Sequence, residues 1–252
     1  MNKYLEEYLA SKDYKKIAEQ SVAFVRDWFE KNGKGCKAVI GISGGKDSSI
    51  VAAMCVKALG KDRVVGILMP NGEQPDIDVS KRLVEFLGIE NYEINIKDGY
   101  DGVMNEIVGK GIALTEQSRI NLAPRIRMSV LYAASQCMNG RVSNNGNASE
   151  RYVGYFTKYG DGAGDFAPLA NLTKTEVLLV GQELGLPDEF VMKAPSDGLT
   201  GLTDEDNLGF SYEDLDTYIL TGNCDDEAVK EKIQKKHAAN LFKLQPIPTF
   251  EF

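Results

Sequence analysis

The chain has 252 residues, 43% of them hydrophobic, which is enough to bury a sizeable core in one α/β domain. Its formal net charge of -8 at pH 7 argues against a broad basic surface for DNA or RNA. The N-terminal stretch is charged throughout and lacks the apolar core of a signal peptide, and no later run approaches membrane-spanning length. We therefore expect a cytoplasmic protein with a single domain over residues 1–252 and with no nucleic-acid or membrane partner.

The cysteines argue against a metal site with soft ligands. The four cysteines are widely scattered and form no Cys-x-x-Cys pair, and His237 is the single histidine. A zinc site normally needs about three or four Cys or His ligands held together. Reduced and mostly buried thiols are therefore expected, and a bound metal should have oxygen ligands.

The first half of the chain alternates between strand and helix patterns. Apolar residues at helical spacing among charges predict one helix from Tyr4 to Phe29, which acts as a structural lid on the sheet. The apolar run Lys37–Ile42 then predicts a strand, followed by a Gly-Gly turn and a helix over Ser48–Leu59. The pattern repeats as a strand over Val64–Met69, a helix over 76–87 and a strand over Tyr92–Ile96.

The second half continues this pattern around one long loop. A helix is expected over Arg119–Met138, and a short strand over Arg141–Ser143. The segment from Gly154 to Leu172 is rich in Gly, Asp and Pro, which is typical of a functional loop. Alternating strands and helices predict right-handed crossovers and a Rossmann-like, doubly wound parallel sheet with helices on both faces. Ligands should lie at the strand carboxyl ends. Further helices are expected near residues 175–185, 212–220 and 226–241.

The turn after the first strand carries residues suited to phosphate. Backbone N–H groups at the start of a helix lack partners, and their positive dipole end attracts anions. Gly44 and Gly45 permit close backbone approach and positive φ, and Asp47 is a candidate magnesium ligand. The alternative is an ordinary Gly-Gly turn in which Asp47 or Ser48 caps the helix. The turn is not a Walker loop, because one residue is missing before Lys46 and Asp47 stands where Ser or Thr should follow.

This strand, the sequence Ser-Gly-Gly-Lys-Asp-Ser-Ser and the helix resemble the pyrophosphate loop of the N-type ATP pyrophosphatases, which cleave ATP between its α and β phosphates. From about residue 20 to the C-terminus, the chain resembles the ammonia-dependent NAD synthetases of that superfamily. Five ordered blocks carry the likeness: Asn121-Leu-Ala-Pro-Arg125-Ile-Arg127-Met128, Gly154-Tyr-Phe-Thr-Lys158-Tyr-Gly-Asp161, Pro168-Leu-Ala-Asn-Leu-Thr-Lys174, Lys193-Ala-Pro195 and Asp204-Glu205.

The resemblance implies a two-step reaction with Mg²⁺ as cofactor. The carboxylate of deamido-NAD attacks the α-phosphate of ATP, and ammonia then displaces AMP to form the amide of NAD. Relatives that use glutamine carry an additional amidase domain, and we expect no glutaminase domain in this chain. The family is homodimeric, and Trp28 is a candidate either for that contact or for packing within the chain.

The resemblance also assigns residues to each ligand. For catalysis it implies Asp47, Asp161 and Lys174, and for magnesium it implies Asp47 and Glu150. For ATP it implies Gly41, Ile42, Ser43, Gly44, Gly45, Lys46, Asp47, Ser48, Arg127, Asn145, Lys174 and Ser196. For deamido-NAD it implies Asn121, Arg125, Lys158, Asp165, Phe242 and Lys243.

Other interpretations of these residues stay open. Glu150 alone is more typical of a solvated surface residue, and Lys174 of an exposed lysine that begins a helix. Arg127 fits a polar helix face, and Asp161-Gly-Ala-Gly-Asp165 fits a plain turn cluster. His237, which has no counterpart in the family pattern, is expected to be solvated.

Two departures from the family pattern affect the assignments. Many relatives have Gly-Thr-Asp-His-Ala-Ala-Glu where this chain has Asn-Asn-Gly-Asn-Ala-Ser-Glu, which ends at Glu150. Relatives have a His-Lys pair where this chain has Phe242-Lys243. The contacts of the missing Thr and His side chains must therefore be replaced or absent.

Two other functions compete with the amidation. A tRNA-thiolating ATP pyrophosphatase is disfavoured by the acidic charge and by the absence of Cys-x-x-Cys. A non-catalytic nucleotide sensor on the same fold would need the phosphate turn, but not Glu150, Asp161 and Lys174 together.

Overall fold

The computed structural model describes residues 1–74, 77–191 and 203–250. Among these residues, no helix combines the length and the apolar character needed to cross a bilayer. The strands are β1 (Lys37–Ile42), β2 (Val64–Leu68), β3 (Glu90–Glu93) and β4 (Gly140–Val142). The helices are α1 (Lys3–Ala10), α2 (Tyr14–Asn32), α3 (Lys46–Leu59), α4 (Ile77–Leu87), α5 (Lys97–Gly109), α6 (Glu116–Cys137), α7 (Ala148–Val153), α8 (Lys174–Glu183), α9 (Asp188–Val191), α10 (Asp204–Leu208), α11 (Tyr212–Thr221) and α12 (Glu227–Asn240).

The strands form a parallel sheet in the order β3-β2-β1-β4. The chain leaves β1 toward β2 on one side and later returns to β4 on the other side. In open parallel sheets, such a reversal opens a crevice at the carboxyl ends of the two strands on either side of the reversal. Here that crevice lies between the loops that follow β1 and β4.

Helices cover both faces of the sheet. On β1, Ile40 and Ile42 belong to the larger core, which α2, α3, α4 and α8 complete. The alternate residue Val39 belongs with Val65 and Ile67 to a second core, which contains α6. Successive strand side chains point to opposite faces, so each face has its own apolar layer. The doubly wound α/β prediction is confirmed.

A third apolar cluster packs α7, α10, α11 and α12 together at one end of the molecule. Leu215 of α11 and Ile233 of α12 are fully buried there, beside Val153 of α7. Both α7 and α8 follow the carboxyl edge of the sheet, and α11 contacts each of them. This cluster therefore places α11 directly behind the loops that form the crevice.

The structure corrects the prediction of a single N-terminal helix. The side chain of Asp13 accepts a hydrogen bond from Lys16 N at 3.0 Å, so it caps a new helix. The chain therefore forms α1 and α2 with a break between them. Trp28 of α2 packs within the chain, with its ring centroid 5.2 Å from those of Phe29 and Phe166.

The structure also differs from the sequence predictions in the bounds of the third strand, in two helices and in the burial of the cysteine thiols. The third strand pairs over Glu90–Glu93 rather than Tyr92–Ile96, and as an edge strand it is exposed. The sequence interpretation missed α5, whose three glycines lower its helix propensity, and α7, which has six residues. Two of the four thiols are not buried, because Cys137 ends α6 on its outer side and Cys224 lies in the turn after α11.

Candidate active site

The turn between β1 and α3 leaves the start of the helix open to an anion. Gly44 has φ 77°, in the left-handed region that favours glycine, whereas Gly45 has φ -83° and is the helix N-cap. Asp47 and Ser48 lie inside the helix, so the alternative in which one of them caps it is wrong. Ser48 Oγ instead donates to Gly45 O at 2.9 Å and accepts from Ser43 N at 3.3 Å. No side chain in the described part of the chain caps this 14-residue helix, whose N-terminus attracts negative charge.

Three charged side chains meet beside this turn. Lys174 Nζ lies 2.9 Å from Asp47 Oδ2 and 2.8 Å from Glu150 Oε1. The exposed fractions of these side chains are 6% for Lys174, 16% for Asp47 and 18% for Glu150. Each residue lies in the first turn of a different helix, namely α8, α3 and α7. The interpretations of Glu150 and Lys174 as solvated surface residues are therefore wrong.

Burial and mutual attraction set the charge state of this cluster. Burial disfavours the charged form of Lys174, but Glu150 and Asp47 outweigh it and hold the pKa of Lys174 well above its usual range. Burial, aided by the Asp47 carboxylate, raises the pKa of Glu150. Burial also lowers the pKa of the neighbouring Lys46, and the charge of Lys174 acts in the same direction. Lys174 therefore remains an ammonium ion across the physiological range.

The two carboxylates have the donor chemistry that magnesium requires. Asp47 Oδ1 is buried without a hydrogen-bond partner among the described residues, so a cation would satisfy it. Glu150 Oε2 is 3.4 Å from Asn147 N, and the other carboxylate oxygen bonds Lys174. Magnesium is commonly bound by one or two carboxylates together with substrate phosphates and water. Residues 1–74, 77–191 and 203–250 contain no cluster of three or more His, Cys, Asp or Glu ligands, so this pair would rely on phosphate oxygens.

Asn145 joins the carboxyl ends of β1 and β4. Its Nδ2 donates to Gly41 O in β1 at 3.1 Å, and its Oδ1 accepts from Ser143 Oγ after β4 at 2.8 Å. The predicted ATP residue Ile42, by contrast, has its side chain in the core, so only its backbone faces the crevice. Asn145 therefore fixes the spacing of the two loops between which a nucleotide would lie.

Asn147 connects the β4 loop to the charged cluster. Its Nδ2 lies 3.4 Å from Asp47 Oδ2, and its Oδ1 accepts from Glu150 N at 3.0 Å. Together with the reciprocal bond of Glu150, this is a capping box at the start of α7. Asn147 thus makes contacts in the segment where family members have a Thr and a His.

The glycine-rich loop, residues 154–172, packs directly on the β4 loop, residues 143–147. Asn144 Nδ2 donates to the carbonyl oxygens of Asp161 and Ala163 at 3.1 and 3.2 Å. A Cβ at Gly164 would lie 2.5 Å from Asn144 N, so only glycine fits there. Asp161 is exposed, and its Oδ1 accepts a hydrogen bond from Thr157 N at 2.9 Å within the same loop, so the interpretation as a turn residue stays open.

The two arginines of α6 point to different parts of the site, as their spacing predicts. Arg127 Nε donates to Met69 O at the end of β2 at 3.0 Å, and burial lowers its pKa. Arg125 is exposed, and its Nε lies 3.5 Å from Lys158 O in the glycine-rich loop. Arg127 therefore borders the crevice of the sheet, whereas Arg125 belongs to a second group of residues farther along the loop.

This second group forms a patch at the outer end of the crevice. Lys158 Nζ donates to Phe242 O at 2.9 Å and lies 5.6 Å from the centre of the Phe242 ring. Lys243 Nζ donates to the backbone oxygens of Gly154 and Phe156 at 2.7 and 3.0 Å. The patch is completed by Asn121, whose Oδ1 accepts from the Thr157 hydroxyl at 2.9 Å.

The remaining predicted positions have varied surroundings. Asp165 ties the glycine-rich loop to β4, because its Oδ2 accepts from Val142 N at 2.7 Å. Its Oδ1 accepts from the Tyr132 hydroxyl at 3.2 Å. His237 is not simply solvated, because its ring stacks on Tyr152 at 4.1 Å. Ser196 lies outside the described residues.

Sequence reasoning missed several polar residues of the site. Asn147 had a signal, because Asn-x-x-Glu before a helix is a capping-box pattern. Ser149 and Asp216 are fully buried, and they bond each other and the start of α8. Their importance depends on contacts between distant segments, which no local pattern indicates.

The chain is similar to known proteins along most of its length. The family model described as NAD synthase matches residues 17–247. The NH(3)-dependent NAD(+) synthetase of Pyrococcus horikoshii is 43% identical over 224 residues, which are 88% of this chain and 84% of that protein.

Solved structures show the same likeness. The NMN synthetase of Francisella tularensis superposes with a TM-score of 0.87 at 33% identity, and the alignment covers 96% of this chain and 100% of that one. The NH3-dependent NAD synthetase of Campylobacter jejuni superposes with a TM-score of 0.78 at 30% identity, with the same coverage. The sequence match and the shared fold lead to one conclusion: the chain belongs to the NAD synthase family.

Proposed function

We propose that the chain uses ATP and ammonia to convert deamido-NAD to NAD, with release of AMP and pyrophosphate, in the last step of NAD biosynthesis. The observation that carries this proposal is the convergence of Asp47, Glu150 and Lys174 beside the open N-terminus of α3. Relatives that this chain matches along most of its length are named for the same reaction. The site has the charges that transfer of an adenylyl group requires.

The residues of the first cluster would bind and neutralise the triphosphate. The N–H groups of the Gly44–Gly45 turn and the helix dipole of α3 would hold the leaving pyrophosphate. Lys174 and Lys46 add positive charge where charge develops during attack on the α-phosphorus. Asp47 and Glu150 would hold Mg²⁺, which would supply positive charge to the phosphates. A carboxylate oxygen of the substrate then forms a bond to the α-phosphorus of ATP. At the same time the bond between the α-phosphorus and the pyrophosphate oxygen breaks, and pyrophosphate leaves.

The residues of the outer patch would bind deamido-NAD. Arg125 and Lys158 offer cations for its phosphates, and Phe242 offers an exposed aromatic face for one of its rings. Asp165 is held between β4 and α6. In the second step, ammonia bonds to the activated carbonyl carbon and loses a proton to solvent, and AMP leaves with the original carboxylate oxygen.

The products of a defined incubation test this function. With ATP, Mg²⁺, deamido-NAD and ammonium, mass spectrometry should detect NAD, AMP and pyrophosphate in equal amounts, because each amide formed consumes one adenylate. A control without ammonium should form no NAD. Formation of ADP, or turnover of ATP independent of deamido-NAD, would contradict the assignment.

A second candidate substrate follows from the likeness to the Francisella NMN synthetase. The corresponding reaction would amidate nicotinate mononucleotide, which lacks the adenylate half of deamido-NAD. We favour the dinucleotide, because the outer patch provides cationic and aromatic groups beyond those needed near the reacting carboxylate. The same incubation with nicotinate mononucleotide in place of deamido-NAD separates the two by their kcat/KM values.

We also propose a homodimer in which α5 and α6 face a second copy. Only Ala123 and Ser135 are buried in the 22-residue α6. On α5 and just after it, Val103, Val108 and Ile112 are 39%, 55% and 60% exposed. Such apolar surface is typical of an interface. Sedimentation at assay concentration should give twice the chain mass, and Val108→Glu should lower the sedimenting mass. A monomeric wild-type protein would refute the proposal.

A cytoplasmic location stays a prediction.

A further inference from the structure

A buried carboxylate outside the two clusters connects the helices that carry Glu150 and Lys174. Asp216 of α11 is fully buried. Its Oδ1 accepts a hydrogen bond from Ser149 Oγ, and its Oδ2 accepts from Thr175 N at 2.7 Å. Ser149 directly precedes Glu150, and Thr175 directly follows Lys174. One carboxylate therefore holds the first turns of α7 and α8 together.

The same bonds satisfy the start of α8. Lys174 N, the first amide of the helix, donates to Ser149 Oγ at 2.9 Å, and the second amide donates to Asp216. The side chain of the N-cap residue Thr173 accepts from the third amide. Helix N-terminal amides need partners of this kind, and a negative charge there is favourable. The orientation of α8, and with it the path of the Lys174 side chain, thus depends on Ser149 and Asp216.

The helix α11 contacts Lys174 at a second point. Tyr212 lies four residues before Asp216, on the same face of the helix. Lys174 Nζ lies 5.0 Å from the centre of the Tyr212 ring, and the ring therefore stabilises the ammonium. The Tyr212 hydroxyl donates to Asp204 Oδ2 at 3.1 Å, which fixes the ring. One face of α11 thus supports both the backbone and the ammonium group of Lys174.

We propose that Asp216 is a positioning residue for adenylyl transfer. Through its bonds to Ser149 and Thr175, Asp216 sets the separation of Glu150 and Lys174. The proposal rests on the proposed function, which assigns Glu150 and Lys174 to the ATP site. The outer patch lies on α6, the glycine-rich loop and the segment after α12, and is held by other bonds. Loss of Asp216 should therefore affect ATP and the chemical step more than the binding of deamido-NAD.

The test combines Asp216→Asn, Ser149→Ala and the double variant. Each single variant should lower kcat by about 10- to 100-fold, as is typical when a residue that orients a ligand-bearing side chain is lost. The KM for deamido-NAD should stay near the wild-type value. Because both residues act through one connection, the double variant should be no slower than the slower single variant. Thr217→Val is the matched control, because Thr217 is also buried in α11 but its hydroxyl donates to Glu213 O within that helix.

Several results would overturn the proposal. The first is that the effects of the single variants on kcat multiply in the double variant. The second is that the KM for deamido-NAD rises as much as kcat falls. The third is that Thr217→Val lowers kcat as much as Asp216→Asn does. If Asp216→Asn does not fold, Ser149→Ala decides alone, and an unchanged kcat then refutes the proposal. Binding of ATP with Mg²⁺, measured by calorimetry, provides a test that does not depend on deamido-NAD being the substrate. Weaker binding in the variants supports the positioning role even if the wild-type protein makes no NAD, whereas unchanged binding in that case rejects it.

Discussion

Replacement of Lys174 by Met is expected to lower kcat for NAD formation by about 100- to 1,000-fold, because it removes a fixed positive charge from the site of phosphoryl chemistry. The ammonium lies within 2.9 Å of both carboxylates, and these carboxylates hold the pKa of Lys174 well above its usual range. Met preserves most of the side-chain volume but not the charge. Steady-state assays of NAD and AMP measure this effect, and Lys57→Met, at an exposed position near the end of α3, is the matched control.

The same variant should also be less stable and more dependent on magnesium. Without Lys174, the largely buried carboxylates of Asp47 and Glu150 face each other, and loss of one partner from a buried ion pair typically costs about 3–5 kcal/mol. A cation that binds the folded state should offset part of this loss. Thermal unfolding should therefore show a larger rise in Tm on addition of Mg²⁺ for Lys174→Met than for the wild-type protein. Equal shifts, with kcat retained, would contradict the placement of Lys174.

Replacement of Asp47 by Asn is expected to lower kcat/KM for ATP by about 100-fold, equivalent to about 3 kcal/mol of lost transition-state stabilisation. The amide keeps the shape of the side chain but loses its charge, and it presents a donor or a weaker acceptor to Lys174. The oxygen that lies buried without a partner would also cease to be a magnesium ligand of full charge.

The design separates loss of ATP chemistry from loss of fold. Asp78→Asn is the matched control, because Asp78 lies in the first turn of α4 as Asp47 lies in that of α3, but at an exposed position. Calorimetric binding of deamido-NAD should change little in Asp47→Asn, since the outer patch has its own supports. If Asp47→Asn loses deamido-NAD binding and ATP turnover together, Asp47 is not confined to the ATP site.

Local patterns predicted the first strand, the glycine turn and the helix after it well. The run Lys37–Ile42, the glycines and the helix after them are contiguous, so strand, turn and helix follow from the apolar pattern and glycine chemistry. The break at Asp13 was missed because the N-cap of α2 interrupts a stretch whose apolar spacing suggests one continuous helix. The helix α5 was missed because its glycines lower its helix propensity. Such misses do not affect the site.

The pairing of the site residues was beyond local patterns. The turn itself suggested Asp47 as a magnesium ligand or a helix cap, whereas only the family likeness suggested Glu150 and Lys174, which otherwise fitted solvated surface positions. In the structure, Lys174 bonds Asp47 across 127 positions of sequence. Ser149 bonds Asp216 across 67 positions. Packing of α8 against α3 closes the first of these distances, and packing of α11 against α7 closes the second.

By itself, then, the sequence determined the α/β class, the glycine turn after the first strand and the family, because each depends on residues that are near neighbours or on ordered blocks. The tertiary structure decided which carboxylates share Lys174, how Asn144, Asn145 and Asn147 tie the loops, and that Asp216 supports α7 and α8. The physical reason is that buried charges and amides must find partners, and those partners come from whichever segments the core packs together.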